Sequence, residues 1–120
     1  MSVLGRITTR STVTIYRPVE AETGDLGRKV SSWTVVAADL AARIVSESDE
    51  LMQKVFGTPA TVKDRIYLAG APDIQPGDAV KATAKNRSGE TWRVQVVLTL
   101  DQAGRPHKEA ALESTTETIP

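Results

Sequence analysis

At 120 residues the chain has the length of a single domain, with enough side chains to bury a modest core. Lysine plus arginine equal aspartate plus glutamate at 15 each, and both halves are neutral, with seven of each sign before residue 61 and eight of each after it. No overall field therefore recruits nucleic acid or an anionic membrane. The absence of cysteine excludes disulfides and thiolate metal sites and fits a reducing cytosol, and no apolar run is long enough for a secretory signal or a bilayer span.

Residues 1–11 read as a polar arm carrying Arg6 and Arg10. Thr12–Val19 alternates as a strand, Val13 and Ile15 to one side, Thr14 and Tyr16 to the other. Pro18 cannot donate to a ladder and marks a strand end or sheet edge. Thr23-Gly24-Asp25-Leu26-Gly27 is a turn, and a second strand resumes near Lys29 and runs to Val36. Ala37–Val45 is Ala-rich, which favours helix. The alternation of Leu40, Ala42 and Ile44 with Asp39, Ala41 and Arg43 favours strand, and the β-branched Ile44-Val45 decides for strand.

Residues 46–60 read as a long loop with about one helical turn, started by Ser48 and stopped by Gly57-Thr58-Pro59. Further strands are expected at Thr61–Leu68, Asp78–Ala84, Thr91–Leu100 and His107–Leu112, separated by turns at Gly70-Ala71-Pro72, Gln75-Pro76-Gly77-Asp78, Lys85–Glu90 and Asp101–Gly104. Asp64 interrupts an otherwise apolar stripe of Val62, Ile66 and Leu68, so Lys63, Arg65 and Tyr67 face outward. Glu113–Pro120 reads as a mobile tail. The fold class is all-β: a small antiparallel barrel or sandwich of about six strands over residues 12–112. Its expected core is Val13, Ile15, Trp33, Val35, Ile44, Ile66, Leu68, Val80, Trp92, Val94 and Val96.

Few residues suggest chemistry. His107 is the single histidine; Asp101 and Glu109 are near it, but no nucleophile motif accompanies them. Glu47, Asp49 and Glu50 cluster without the Gly turn and closing Glu of a calcium loop. Lys81, Lys85, Arg87 and Arg93 beside Trp92 suggest a nucleic-acid platform, but Trp92 belongs to the inward stripe, and Asp78 and Glu90 dilute the charge. No phosphate loop, metal-spaced cluster or nucleophile elbow is present. The reading is a non-enzyme with no catalytic residues, metal or cofactor.

Several motifs occur in a telling order: Val13–Val19 with its Arg17-Pro18 ending, Asp25-Leu26-Gly27-Arg28, Ser32-Trp33, and Ala38–Ile44. Ser48-Asp49-Glu50-Leu51, Ile66-Tyr67-Leu68, Ile74-Gln75-Pro76-Gly77-Asp78 and Trp92-Arg93-Val94 follow. In that order and spacing, over residues 12–112, the chain resembles the head–tail joining (head-closure or stopper) proteins of tailed bacteriophages. It departs in lacking an aromatic over Ala37–Ala42 and in its longer N-terminal arm.

The resemblance implies a virion connector at the head–tail interface of a phage or gene transfer agent, made in the bacterial cytoplasm. Such a subunit forms a homo-oligomeric ring below the portal and adaptor. The ring closes the DNA exit channel after packaging and docks tail terminator or tail proteins, with non-specific contact to packaged DNA and none to membrane. On this reading Ser48, Asp49, Glu50, Leu51, Met52, Lys54 and Phe56 are channel-loop or inter-subunit candidates, and Arg6 and Arg10 are arm contacts. The competing reading of the residues is a monomeric, OB-like barrel binding nucleic acid or peptide.

Overall fold

The computed structural model describes residues 11–22, 28–58, 61–85, 88–102 and 104–120. The arm residues Arg6 and Arg10, and Arg87 of the basic hairpin, lie outside these. Six strands form a closed antiparallel barrel: β1 (Ser11–Glu22), β2 (Arg28–Ser46), β3 (Asp64–Ala69), β4 (Ala79–Lys85), β5 (Thr91–Gln102) and β6 (Arg105–Ser114). The order around the wall is β1-β2-β3-β6-β5-β4, and β4 pairs back onto β1. One helix, α1 (Asp49–Phe56), lies between β2 and β3.

Period-two alternation builds the interior. Val13, Ile15, Ile44, Ile66, Leu68, Val80, Trp92 and Val94 are buried there as the sequence predicts, joined by Ile74, Ala82, Ala110 and Leu112. Three members of the expected core are elsewhere. Irregularities in the β1–β2 register fall between Val13 and Ile15, Ile15 and Tyr16, and Val19 and Glu20. Extra residues on β2 change which side chains face inward. Asp39 takes the left-handed conformation (φ 57°) that Asp tolerates better than most residues. Val36 consequently packs on the core while Val35 is 54% exposed. Trp33 is half-buried with its ring under the Arg93 guanidinium, 5.2 Å from ring centre to Cζ. A further bulge at Gln95 moves Val96 and Leu98 to the outer side of β5 and turns Val97 inward.

The outer side of β5 and β6 carries a second apolar cluster. Met52, Phe56, Val62 and Ala111 are buried together, with Val55, Val96 and Leu98 packed against them. This is the seat of α1, so residues 46–60 hold a helix of just over two turns rather than a long open loop. Ser48 caps it, its hydroxyl accepting from the Leu51 amide at 3.2 Å. Gly57 ends it at φ 73°, its N–H bonded to the Gln53 carbonyl at 2.8 Å. Met52, Val55 and Phe56 fall on one face at helical spacing.

Asp64 does face the interior, and it is buried because it has donors. The Trp92 indole N–H donates to one carboxylate oxygen at 2.9 Å and the Ser46 hydroxyl to the other at 2.8 Å. An aromatic with a polar tip and a buried acid therefore satisfy each other across the barrel.

The expected mobile tail is laid on the barrel. Glu113 and Ser114 belong to β6, and the Thr115 N–H extends the ladder to the Thr91 carbonyl at 3.2 Å. Glu117 takes two hydrogen bonds from Arg93, at 2.8 and 2.9 Å. Ile119 is buried, and the Pro120 carbonyl accepts from Tyr16 at 3.3 Å and Lys81 at 3.1 Å. One apolar residue in a Thr- and Glu-rich stretch has no period, so its burial leaves no sequence signal.

Trp92→Ala is expected to cost about 3–5 kcal/mol in urea unfolding at pH 7, from the volume removed. Asp64→Ala is expected to cost about 1–3 kcal/mol, because the buried Trp92 indole N–H loses its acceptor. An Asp64→Ala protein as stable as the wild type would show that the indole and hydroxyl are satisfied without it.

Candidate functional site

β1 and β2 do not stop where the barrel stops. β1 pairs with β4 only from Ser11 to Tyr16, and β2 pairs with β3 only from Ala42 to Ser46. Beyond these limits the two strands pair with each other as far as Glu22 and Arg28, making a two-stranded hairpin that continues past the wall. Among its described side chains Val19 and Val35 are exposed large apolar ones, at 44% and 54%.

Arg17 sits at the base of this hairpin. Its Nε and Nη2 donate to the two carboxylate oxygens of Asp78 at 3.0 and 2.9 Å, a bidentate pair. Its Nη1 reaches Asp73 Oδ2 at 3.2 Å and its Nη2 the Asp73 carbonyl at 3.1 Å. Asp78 is only 2% exposed and also accepts from the Gln75 amide at 2.9 Å. Hydrogen bonding to Asp78 raises the Arg17 pKa further, against the opposing pull of burial. The hydrogen bonds from Arg17, then from Gln75, hold Asp73 below the usual carboxylate range.

A second arrangement lies on the outer face of β2, β3 and β6. Arg65 donates from Nε to Glu109 Oε1 at 3.0 Å, a second bond joins its Nη2 to the same oxygen, and its Nη1 meets Glu47 at 3.5 Å. His107 Nε2 lies 3.0 Å from the other Glu109 oxygen. Burial alone would raise the Glu109 pKa, but the hydrogen bonds from Arg65 and His107 outweigh it and hold the group low. Burial likewise opposes the charge on Arg65, and Glu109 chiefly restores it.

Tyr67 lies between two guanidinium groups, Arg43 at 4.8 Å and Arg65 at 5.0 Å from its ring centre. Where β3 ends at Ala69 and β2 runs on, a groove of about 410 Å³ opens between Ala41, Arg43, Tyr67, Ala69 and His107.

The sequence-nominated residues are distributed around this framework. Ser48 is the helix cap; Asp49, Glu50, Leu51 and Lys54 are exposed; Met52 and Phe56 are buried against their own barrel. The segment expected to project into a channel is anchored by these two side chains. Of the platform suggested by Lys81, Lys85, Arg87 and Arg93 beside Trp92, Lys81 holds the Pro120 carbonyl, Arg93 holds Glu117 and Trp92 is fully buried, while the Lys85 side chain and Arg87 lie outside the described residues. Arg43 and Tyr67 read in the sequence as strand residues and not as site candidates; their position directly across β2 and β3 is visible only once the register is known.

No protein-family model matches the chain, and no curated protein does. Among solved structures, that of protein SF1141 from Shigella flexneri 2a is similar. It is 18% identical with a TM-score of 0.59, over 92% of this chain and 98% of that one. At that identity the likeness concerns the fold.

Arg17→Ala leaves a buried carboxylate without its cation. It is expected to cost about 2 kcal/mol, less than for a fully buried pair because Arg17 is partly solvated. Hydrogen exchange should quicken at the hairpin base around Pro18–Glu22, and an unchanged exchange pattern would refute the clamp. The lowered carboxylates set the acid response. Asp73, Glu109 and Glu117 all have folded pKa values below their ordinary 3.8 or 4.5. Their stabilisation is complete above those ordinary values and is lost as pH falls through the lower folded ones. Urea midpoints should therefore drop steeply below about pH 4, and Glu109→Gln should make that drop shallower.

Proposed function

We propose that the protein is a structural connector subunit of a tailed phage or gene transfer agent. It forms a ring beneath the portal and adaptor, closing the DNA exit and receiving the tail. The observation that carries the reading is the contact between Arg17 and Asp78. Arg17-Pro18 and Pro76-Gly77-Asp78 are two of the motifs on which the resemblance to head–tail joining proteins rests, 61 residues apart, and their charged members form one bidentate pair. The pair fixes a hairpin that leaves the barrel with apolar residues exposed, a shape suited to reaching a neighbouring subunit. The closed barrel itself supports the reading at the level of fold.

The competing reading is a monomeric, OB-like barrel that binds nucleic acid or peptide, and its nucleic-acid form has less support. Trp92 and Phe56 are buried, Tyr67 lies between two arginines and Trp33 beneath a third, so these rings are not arrayed as a stacking surface.

The test is electron microscopy of the protein co-expressed with portal and adaptor proteins of a tailed phage. A ring of added density on the portal's exit side is expected. A protein that stays off the portal and instead binds a single-stranded oligonucleotide with a steep salt dependence would overturn the proposal in favour of the competing reading.

A further inference from the structure

Arg43 is a cation without a counterion. It makes no ion pair among the described residues, its Nε is buried with no hydrogen-bond partner, and its one recorded interaction is with the Tyr67 ring. It lines the groove left where β2 outruns β3, whose remaining walls are chiefly apolar, with His107 on β6. The neighbouring cation Arg65 is already matched by Glu109 and Glu47. The groove thus offers one unmatched positive charge above an apolar floor.

The complementary surface is on the same chain. Asp49 and Glu50 in the first turn of α1 are exposed and form no ion pair among the described residues. Beside them Leu51 is one of three large hydrophobic side chains exposed among the described residues, at 36%. Two carboxylates and a leucine match a guanidinium and an apolar floor.

Within one molecule they do not meet: among the described residues Arg43 makes no ion pair with Asp49 or Glu50. α1 follows Ser46, which pairs with Asp64 at the start of β3, whereas the groove opens at Ala69, the end of β3. Five residues of strand, roughly 17 Å, separate the two ends of β3, and Arg43 itself, opposite Tyr67, lies three residues, roughly 10 Å, from Ser46.

We infer that the Arg43 groove receives the Asp49-Glu50-Leu51 turn of a second copy of this chain. Different surfaces meet, so the contact is heterologous and repeats from copy to copy instead of stopping at a pair. The inference deepens the ring reading by naming its subunit contact. A contact of this size is weak by itself, so covalent trapping is the appropriate measurement.

The chain has no cysteine, so two can be introduced cleanly. Gln53 and Ala69 are both exposed, Gln53 one turn from Asp49 and Ala69 in the groove wall. A Gln53→Cys/Ala69→Cys protein, oxidised at millimolar concentration, is expected to give a ladder of disulfide-linked dimers, trimers and higher species. Adding Arg43→Glu should reduce the ladder at least tenfold. Adding Asp49→Arg and Glu50→Arg to that protein should restore it, which a misfolded variant could not do.

A ladder indifferent to Arg43→Glu, a product that stops at dimers, or no ladder at all overturns the inference. Failure here and failure of the connector reading are distinguishable. A ring on the portal that forms unchanged with Arg43→Glu removes this contact and leaves the connector standing. A charge-dependent ladder from a protein that ignores the portal does the reverse.

Discussion

The carboxylate and backbone of Asp78 tie together three parts of the molecule. A barrel removes its free edges only if every neighbouring pair of strands meets. Here the weakest link in the wall is β4 with β5, which share three Cα positions, Ala79 with Arg93, Val80 with Trp92 and Lys81 with Thr91. The seam is lengthened by Asp78, whose carbonyl accepts from the Val94 amide at 2.8 Å, and by Gly77, whose N–H reaches the Val94 carbonyl at 2.8 Å. The Asp78 side chain then turns away from the seam to hold Arg17 and the Gln75 amide. Closure of the wall, the turn before β4 and the base of the hairpin thus share one residue. A substitution there acts on all three, and its effect should exceed what any one of the contacts suggests.

Barrel and helix divide the apolar residues through a single extra residue in β5. Before Gln95, Trp92 and Val94 face the interior; after it, Val97 does, while Val96 and Leu98 face α1. One strand therefore serves two cores. β6 does the same without a bulge, because Ala110 and Leu112 alternate with Ala111. Ala111 is small enough for α1 to approach β6 closely, and Arg65 completes the contact by lying over the Phe56 ring at 5.4 Å.

The strands were legible in the sequence because period-two alternation survives wherever the ladder is regular. Val13 with Ile15, and Ile66 with Leu68, behave as their pattern dictates. Legibility ends at the bulges. Trp33, Val35 and Val96 continue an alternation that an extra backbone residue has already inverted, and nothing in the side-chain pattern marks the inversion. The helix was half legible: Ser48 and Gly57 announced its ends, but the apolar surface awaiting Met52 and Phe56 is formed by strands distant in the chain. The candidate contacts were the least legible. Arg17 with Asp78, and Arg43 with Tyr67, are products of topology and register, and Asp64 could be recognised as anomalous but not matched to Trp92.

The separateness of the second apolar cluster has a kinetic consequence. Its buried members, Met52, Phe56, Val62 and Ala111, are distinct from those that fill the barrel. α1 is also joined to its neighbours by chain segments at both ends rather than by a strand ladder of its own. Releasing the helix exposes the outside of β5 and β6 while the interior around Trp92 stays closed. The helix is therefore a unit of local opening with a free energy below that of global unfolding. Its amides exchange with solvent through an excursion in which the barrel remains intact, and the region between Ser46 and Asp64 can change conformation on a timescale that the wall does not share.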